Sequence, residues 1–139
     1  MADTSLERLK LLYDYEKFHI GLYGAMITGF IAILSVESED LPLWMIVILA
    51  LAIISLLVAA ICGAILASSV IDIYNTYNHW ELVTKSEVNL NRFWTEKIGP
   101  YKRKCWKAET WWRIGHTAFW IAVFLVIGAF SVRLIVTNL

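Results

Sequence analysis

Three long stretches without a formally charged residue dominate this chain. They cover residues 18–36, 41–71 and 114–132, which are 19, 31 and 19 residues long. About 18 to 20 predominantly apolar residues suffice for an α-helix to cross the hydrocarbon core of a bilayer. The composition agrees, because 59% of the 139 residues are hydrophobic and 17% are charged, against about 25% charged residues in soluble domains. The sequence therefore predicts an all-α membrane protein with three transmembrane helices.

The same pattern divides the chain into five segments. They are an amphipathic N-terminal helix (1–16), a first span (17–36), a second span (43–69) whose helix continues to about residue 85, a basic and aromatic segment (86–114) and a third span (115–136). Gly99-Pro100 is the strongest break after the second span, and a further helix can start at Tyr101. We therefore expect a cytoplasmic helical hairpin between helices 2 and 3, and no strands.

Lysine and arginine predict the orientation. Three (Arg8, Lys10 and Lys17) precede the uncharged run at 18–36, none lies in the turn at 37–42, and eight lie between residues 72 and 113. Because positively charged loops stay in the cytoplasm, we expect a cytoplasmic N-terminus and an external C-terminus. A bacterial inner membrane is the expected location of this multi-pass protein.

Small residues recur at four-residue spacing in the first two spans. Such ridges let helix backbones approach closely in lipid, where little hydrophobic force holds helices together. They can serve the internal contact between the two spans or a contact between subunits, and we expect a homo-oligomer. The ridge residues are Gly21, Ala25 and Gly29 in the first span and Ser55, Ala59, Gly63 and Ala67 in the second.

Basic and aromatic side chains alternate just before the third span. Five of the seven tryptophans lie between residues 80 and 112. Lysine and arginine favour the anionic cytoplasmic leaflet, and indoles prefer the headgroup region. We interpret the segment as a contact with the lipid bilayer, with docking of a cytoplasmic protein or a nucleotide as the alternative. Nucleic acid is not expected as a partner. The residues concerned are Lys102, Arg103, Lys104, Trp106, Lys107, Trp111, Trp112 and Arg113.

A few polar groups lie near the cytoplasmic ends of the spans, and we single out His19, Asp72 and His116. Side chains at helix ends commonly contact water and headgroups, while a His–Asp–His metal site or a haem held by two imidazoles is the alternative. We expect no metal and no cofactor. The uncharged runs contain no Asp or Glu, which argues against a proton-coupled antiporter, because that chemistry needs a buried carboxylate. Hydrolase, metalloprotease and phosphate-loop motifs are also missing from the sequence, so we expect no catalytic residues and no enzyme.

The layout resembles the SLATT-type membrane effectors of bacterial nucleotide-signalled conflict systems. The resemblance covers roughly residues 5–95 and rests on an amphipathic N-terminal helix, a tight two-span hairpin and a long amphipathic helix with an early tryptophan, Trp80. The family pattern has two spans, and this chain has a third. The resemblance implies an oligomer that permeabilises the inner membrane when a partner senses infection, which is an anti-phage defence.

Three functions follow as hypotheses. The first is a small, oligomeric, pore-forming inner-membrane protein that perturbs or gates the membrane under the control of a partner. The second is a non-catalytic subunit or anchor of a larger membrane complex. The third is a small channel or transporter, with its path lined by small and hydroxyl-bearing residues of the spans.

Overall fold

We describe the fold from a computed structural model of the chain. It describes the backbone of residues 2–37, 41–84, 90–95, 97–99 and 106–137, and side chains within residues 7–36, 41–72, 93–95, 97–99 and 106–136. The described part of the chain is almost entirely helical. The elements are α1 (Ala2–Glu37), α2 (Leu43–Thr84), α3 (Leu90–Thr95), β1 (Lys97–Ile98), β2 (Trp106–Lys107) and α4 (Ala108–Thr137).

Three of these helices are long and apolar enough to cross a membrane, which agrees with the expected multi-pass membrane protein. The candidate spans are Glu7–Val36, Leu43–Asp72 and Ala108–Val136. Helix α2 packs between α1 and α4, and its 42 residues make it about 63 Å long at 1.5 Å per residue. The sequence predicts a helix to about residue 85, and α2 ends at Thr84. Because hydrocarbon is about 30 Å thick, α2 is far longer than a bilayer requires.

Helix α2 begins directly after Pro42. The Met45 and Ile46 amides both donate to the Pro42 carbonyl, at 2.9 and 3.3 Å, so Pro42 stands directly before the first helical residue. Proline lacks an amide proton, and at the start of a helix that loss breaks no hydrogen bond. Helix α1 ends at Glu37, α2 begins at Leu43 and the two helices pack on each other, so a connection this short makes them antiparallel.

Buried side chains form three clusters along the bundle. The cluster at the end where α1 begins contains Leu9, Val70 and Phe93. The middle cluster contains Tyr23, Leu56 and Ala122, and the cluster at the opposite end contains Leu41, Met45 and Ala129. We call the end that contains Leu9 the N-terminal end of the bundle.

Helix α1 is one continuous helix, with no break between the expected amphipathic segment (1–16) and the expected span (17–36). Leu9 is fully buried, and Leu12 and Tyr13 pack against the same cluster. The apolar side of the N-terminal segment therefore packs on protein.

A two-stranded antiparallel ladder precedes α4, and the expectation of no strands is wrong here. Lys97 pairs with Lys107 and Ile98 with Trp106. The Trp111 Nε1–H donates to the Ile98 carbonyl at 3.1 Å, and Ile98 is buried in the cluster at the N-terminal end. Helix α4 begins at Ala108, and residues 100–105, where a helix start was expected at Tyr101, lie outside the described residues. The ladder was missed because each strand has two residues, one of them a lysine, and such short strands depend on their partner strand more than on local propensity.

Candidate functional site

The small-residue ridge on α2 faces the interior of the bundle. Ala59, Gly63 and Ala67 are buried, and Ser55 is half-buried. A Cβ atom on Gly63 would lie 3.0 Å from Glu16 Oε2 and 3.3 Å from Ile20 Cγ1. This ridge therefore serves the contact of α2 with its neighbours in the same chain.

The ridge on α1 faces the other way. Gly21, Ala25 and Gly29 are exposed, and a Cβ atom added to either glycine would have nothing within 4 Å. Of the two uses of these ridges, the internal contact therefore applies to α2 and not to α1. The physical reason is that α1 turns its larger residues, among them Tyr23 and Phe30, towards α2 and α4.

Most of the exposed residues of α1 between positions 21 and 32 are small, and the larger Leu22 (38% exposed) and Ile31 (50% exposed) lie at the two edges of this surface. With 3.6 residues per turn the small residues fall on one side of the helix, and all are exposed. We call this surface the small-residue face; it consists of Gly21, Gly24, Ala25, Thr28, Gly29 and Ala32. The Thr28 hydroxyl donates to the Gly24 carbonyl at 2.9 Å, so it is satisfied within its own helix.

The outward sides of α2 and α4 are different, because they carry large apolar side chains. On α2 these include Leu51, Ile54 and Ile61, and on α4 they include Phe124 and Ile127; each is between 47% and 69% exposed. Such side chains are suited to contact with lipid tails. Because its side chains are small, the small-residue face is the part of this surface where the backbone of another helix can approach closely.

The three polar residues singled out from the sequence occupy different surroundings. The His19 imidazole is bonded through Nδ1 to the Tyr15 carbonyl of its own helix at 2.8 Å and lies beside the rings of Tyr15 and Tyr23. His116 stacks on Trp112 with ring centroids 4.8 Å apart and planes 18° apart. Asp72 lies at the end of the α2 span and is exposed. Among the described residues, no group of three His, Cys, Asp or Glu side chains could hold a metal ion.

The structure brings a different residue, Glu16, into the interior. Glu16 is 5% exposed and lies within the first candidate span as the structure delimits it, Glu7–Val36. Glu16 precedes the uncharged run at 18–36, so the three runs contain no Asp or Glu, but the fold still buries this carboxylate among the helices. The signal was present, since Leu9, Leu12 and Glu16 follow helical three- and four-residue spacing and share one side of α1.

Glu16 lines a cavity between α1, α2 and α4. The cavity is partly open to the outside and has a volume of about 10 Å³. That is room for about one water. The polar or titratable side chains around it are Tyr15, Glu16 and Tyr23 from α1, Cys62 from α2 and His116 from α4, and the indoles of Trp111 and Trp112 also contribute. We call this the Glu16 cavity.

Two glycines create the space in which the Glu16 cavity lies. Gly63 allows the Glu16 carboxylate to lie against the backbone of α2, as the 3.0 Å distance given above shows. Gly115 brings α4 close to α2, because its added Cβ would lie 3.0 Å from Cys62 Cβ and 3.6 Å from the Ala59 carbonyl oxygen. A larger residue at either position would collide with the opposite helix or fill the cavity.

The basic and aromatic segment is partly built into the protein. Trp111 and Trp112 are half-buried and pack against the cluster at the N-terminal end, whereas Trp106 is 50% exposed. Arg113 pairs with Glu109 one turn away at 2.6 Å, and both side chains are exposed. Lys107 is exposed, and Lys102, Arg103 and Lys104 lie outside the described residues.

Comparison with protein-family models, with curated proteins and with solved structures found no match to this chain.

Proposed function

We propose that this protein is a small homo-oligomeric membrane protein that gates the permeability of a bacterial inner membrane under the control of a cytoplasmic partner. The observation that carries the proposal is the difference in size between its outward surfaces. Helices α2 and α4 present large apolar side chains, while α1 presents the small-residue face with open space beyond Gly21, Gly24 and Gly29. In lipid, small residues on two helices associate through close backbone contact.

The second copy of this chain is the proposed occupant of the small-residue face. A conduit through the membrane needs several spans arranged around an axis, and one chain offers three helices packed on each other. Closed rotational symmetry supplies that arrangement when each copy uses the same surface or two complementary surfaces. The resemblance to SLATT-type effectors supports the same assignment and adds defence against phage as the setting.

The ladder next to α4 supports the involvement of a partner. Lys97 and Lys107 are paired across the two strands and both are exposed. Like charges directly opposite each other in a ladder are destabilising, and an anionic group placed between them relieves the repulsion. An acidic surface on a cytoplasmic protein fits this position, which the positive-inside rule places inside the cell.

Two leucine substitutions on glycines test the assembly. Gly29 lies on the small-residue face and Gly128 on the outer surface of α4, and an added Cβ meets nothing within 4 Å at either position. We expect the native mass in mild detergent to be that of an oligomer for the unmodified chain and for Gly128→Leu, and to fall for Gly29→Leu. A monomeric unmodified chain, or an unchanged mass for Gly29→Leu, would contradict the proposed interface.

Membrane gating is tested in cells. The chain is induced together with its neighbouring genes, and a potential-sensitive dye reports the membrane potential. We expect depolarisation and growth arrest with the unmodified chain and with Gly128→Leu, and neither with Gly29→Leu. Unchanged potential and growth at full induction of the unmodified chain would refute gating even if the oligomer forms.

One observation favours a second candidate, a small channel or transporter. Glu16 introduces a carboxylate into the interior of the bundle, and ionisable groups inside spans commonly mark ion or substrate pathways. Ion flux in proteoliposomes at a fixed pH gradient distinguishes the candidates. Steady ion flux without a partner favours the channel or transporter. Ion flux that begins only when the partner is added favours the gated oligomer.

A further inference from the structure

We infer that the Glu16 cavity binds a primary ammonium group, and that the headgroup of an aminophospholipid, phosphatidylethanolamine, supplies it. The cavity combines a buried carboxylate with aromatic rings and is partly open to the outside. The inference does not depend on oligomerisation or gating, because every group it uses belongs to one chain.

The charge of Glu16 is the first step of the argument. Glu16 is 5% exposed, and taking a carboxylate out of water is costly unless a cation or a hydrogen-bond donor compensates it. Among the described residues, no lysine or arginine forms an ion pair with Glu16; the pair seen there, Arg113–Glu109, lies on the surface. His19 interacts with Glu16 electrostatically, but it is not among the described residues that line the cavity. The Glu16 carboxylate is therefore suited to a cation that enters the cavity.

The size of the cavity is the second step. Its volume of about 10 Å³ is room for about one water molecule. A primary ammonium group is about as compact as a water molecule and carries three N–H donors, whereas a trimethylammonium group is much larger and has none. Because the cavity is partly open, an ammonium group can enter it while the rest of its molecule stays outside.

The aromatic lining is the third step. Tyr15 and Tyr23 line the cavity from α1, and Trp111 and Trp112 line it from α4. The faces of aromatic rings attract cations, and phenol oxygens accept hydrogen bonds. The Trp111 indole is held by its hydrogen bond to the Ile98 carbonyl. A multivalent metal ion is disfavoured as the ligand, since no group of three His, Cys, Asp or Glu side chains among the described residues could hold one.

The depth of the cavity points to a lipid as the source of the ammonium group. Gly63 lies about 30 Å along α2 from Leu43, and Glu16 lies about 30 Å along α1 from Glu37, at 1.5 Å per residue. On α4, Gly115 lies at the start of the uncharged run. The hydrocarbon core of a bilayer is about 30 Å thick, and the polar headgroups lie directly outside it. All three helices therefore place the cavity where a phospholipid headgroup lies.

Carbodiimide coupling of the purified full chain in nanodiscs tests the site. The reagent joins a carboxylate to an amine beside it as an amide, and takes up the lost water to become a urea. The nanodiscs contain phosphatidylcholine with phosphatidylethanolamine, phosphatidylcholine alone, or phosphatidylcholine with added ethylammonium. We expect mass spectrometry to find the lipid amide on Glu16 in the first preparation, and much less of it on Glu7, an exposed glutamate of the same helix. In the third preparation we expect the ethylamide on Glu16.

Native mass spectrometry in mild detergent measures the lipid affinity without a reaction. We expect the unmodified chain and Glu7→Gln to bind phosphatidylethanolamine about tenfold more tightly than phosphatidylcholine, because one hydrogen bond between charged groups corresponds to about that factor. Glu16→Gln keeps the shape of the side chain but removes its charge, and we expect it to bind the two lipids equally.

Four outcomes overturn the inference. One is an acylurea of the reagent on Glu16 without a lipid amide, because it would show that no amine lies beside this carboxyl group. The second is an equal yield of lipid amide on Glu16 and Glu7, and the third is a preference for phosphatidylethanolamine that persists in Glu16→Gln. The fourth is an ethylamide on Glu16 without the lipid amide, which would exclude the lipid as the source. If Glu16→Gln does not fold, the coupling experiment still decides, since it uses the unmodified chain.

Discussion

A close contact between two helices of this bundle predicts the effect of adding a single methyl group. Gly115 on α4 lies against α2, where an added Cβ would be 3.0 Å from Cys62 Cβ. Carbon atoms in favourable contact are about 3.5–4.0 Å apart. Gly115→Ala therefore creates an overlap of about 0.5–1 Å with an atom that is bonded directly to the backbone of α2, so no side-chain rotation relieves it.

Gly128→Ala is the matched control on the same helix, because nothing lies within 4 Å of the Cβ it adds. Alanine favours the helix over glycine by about 1 kcal/mol, and that gain is shared by both variants. The difference between them isolates the packing cost, and inserting a methyl group into a packed interior typically costs about 1–3 kcal/mol. We expect Gly115→Ala to unfold more easily than Gly128→Ala by this amount, about 5- to 150-fold in the unfolding equilibrium.

Unfolding in mixed micelles with increasing dodecyl sulfate, followed by tryptophan fluorescence and circular dichroism, measures this difference. A double-mutant cycle strengthens the test, since Cys62→Gly removes the atom that the new methyl group meets. The coupling between Cys62→Gly and Gly115→Ala should be stabilising and similar in size to the packing cost. A difference between the two alanine variants below about 0.5 kcal/mol would refute the close helix contact.

Three further predictions concern the N-terminal end of the bundle. Leu9→Ala should lower the free energy of unfolding by about 2–5 kcal/mol, because Leu9 is fully buried. The control Leu11→Ala, at a position 62% exposed, should change it by under about 0.5 kcal/mol. Equal effects in the same micelle assay would contradict packing of this segment on protein. Trp111→Phe removes the hydrogen bond to β1 and should cost about 1 kcal/mol, seen as roughly fivefold faster amide exchange in peptides containing β1, with exchange elsewhere in α4 as the control. Arg113→Ala breaks an exposed ion pair and should shift stability by about 0.5 kcal/mol or less, so a larger loss would show that Arg113 has another partner.

Much of the architecture could be predicted from the linear pattern of charge and hydropathy. Three uncharged runs, each long enough for hydrocarbon, predict three helices, and the six residues between the first two spans (37–42) require an antiparallel return. These features depend on whether each segment is more stable in lipid or in water, and the hydropathy of the individual residues determines that preference. The short ladder around Gly99-Pro100 was missed because two-residue strands depend on a partner strand and not on a local period.

The use of each small-residue ridge could not be predicted in the same way. Spacing alone treats Gly21 and Gly63 alike, yet one is exposed and the other lies against Glu16. The rotation of α1 about its own axis determines whether Gly21 is exposed or packed. That rotation results from the sum of the contacts of α1 with α2 and α4.

Hydrophobicity along the chain therefore determines that this protein is a bundle of helices long and apolar enough to span a membrane, because the transfer free energy of apolar surface depends on each segment separately. Only the tertiary structure decides that Glu16 and His116, 100 positions apart, line one cavity. For both side chains to line this cavity, each of the three helices must have a particular rotation about its own axis. Gly63 and Gly115 must also leave space between the helices. No local property of either residue specifies it.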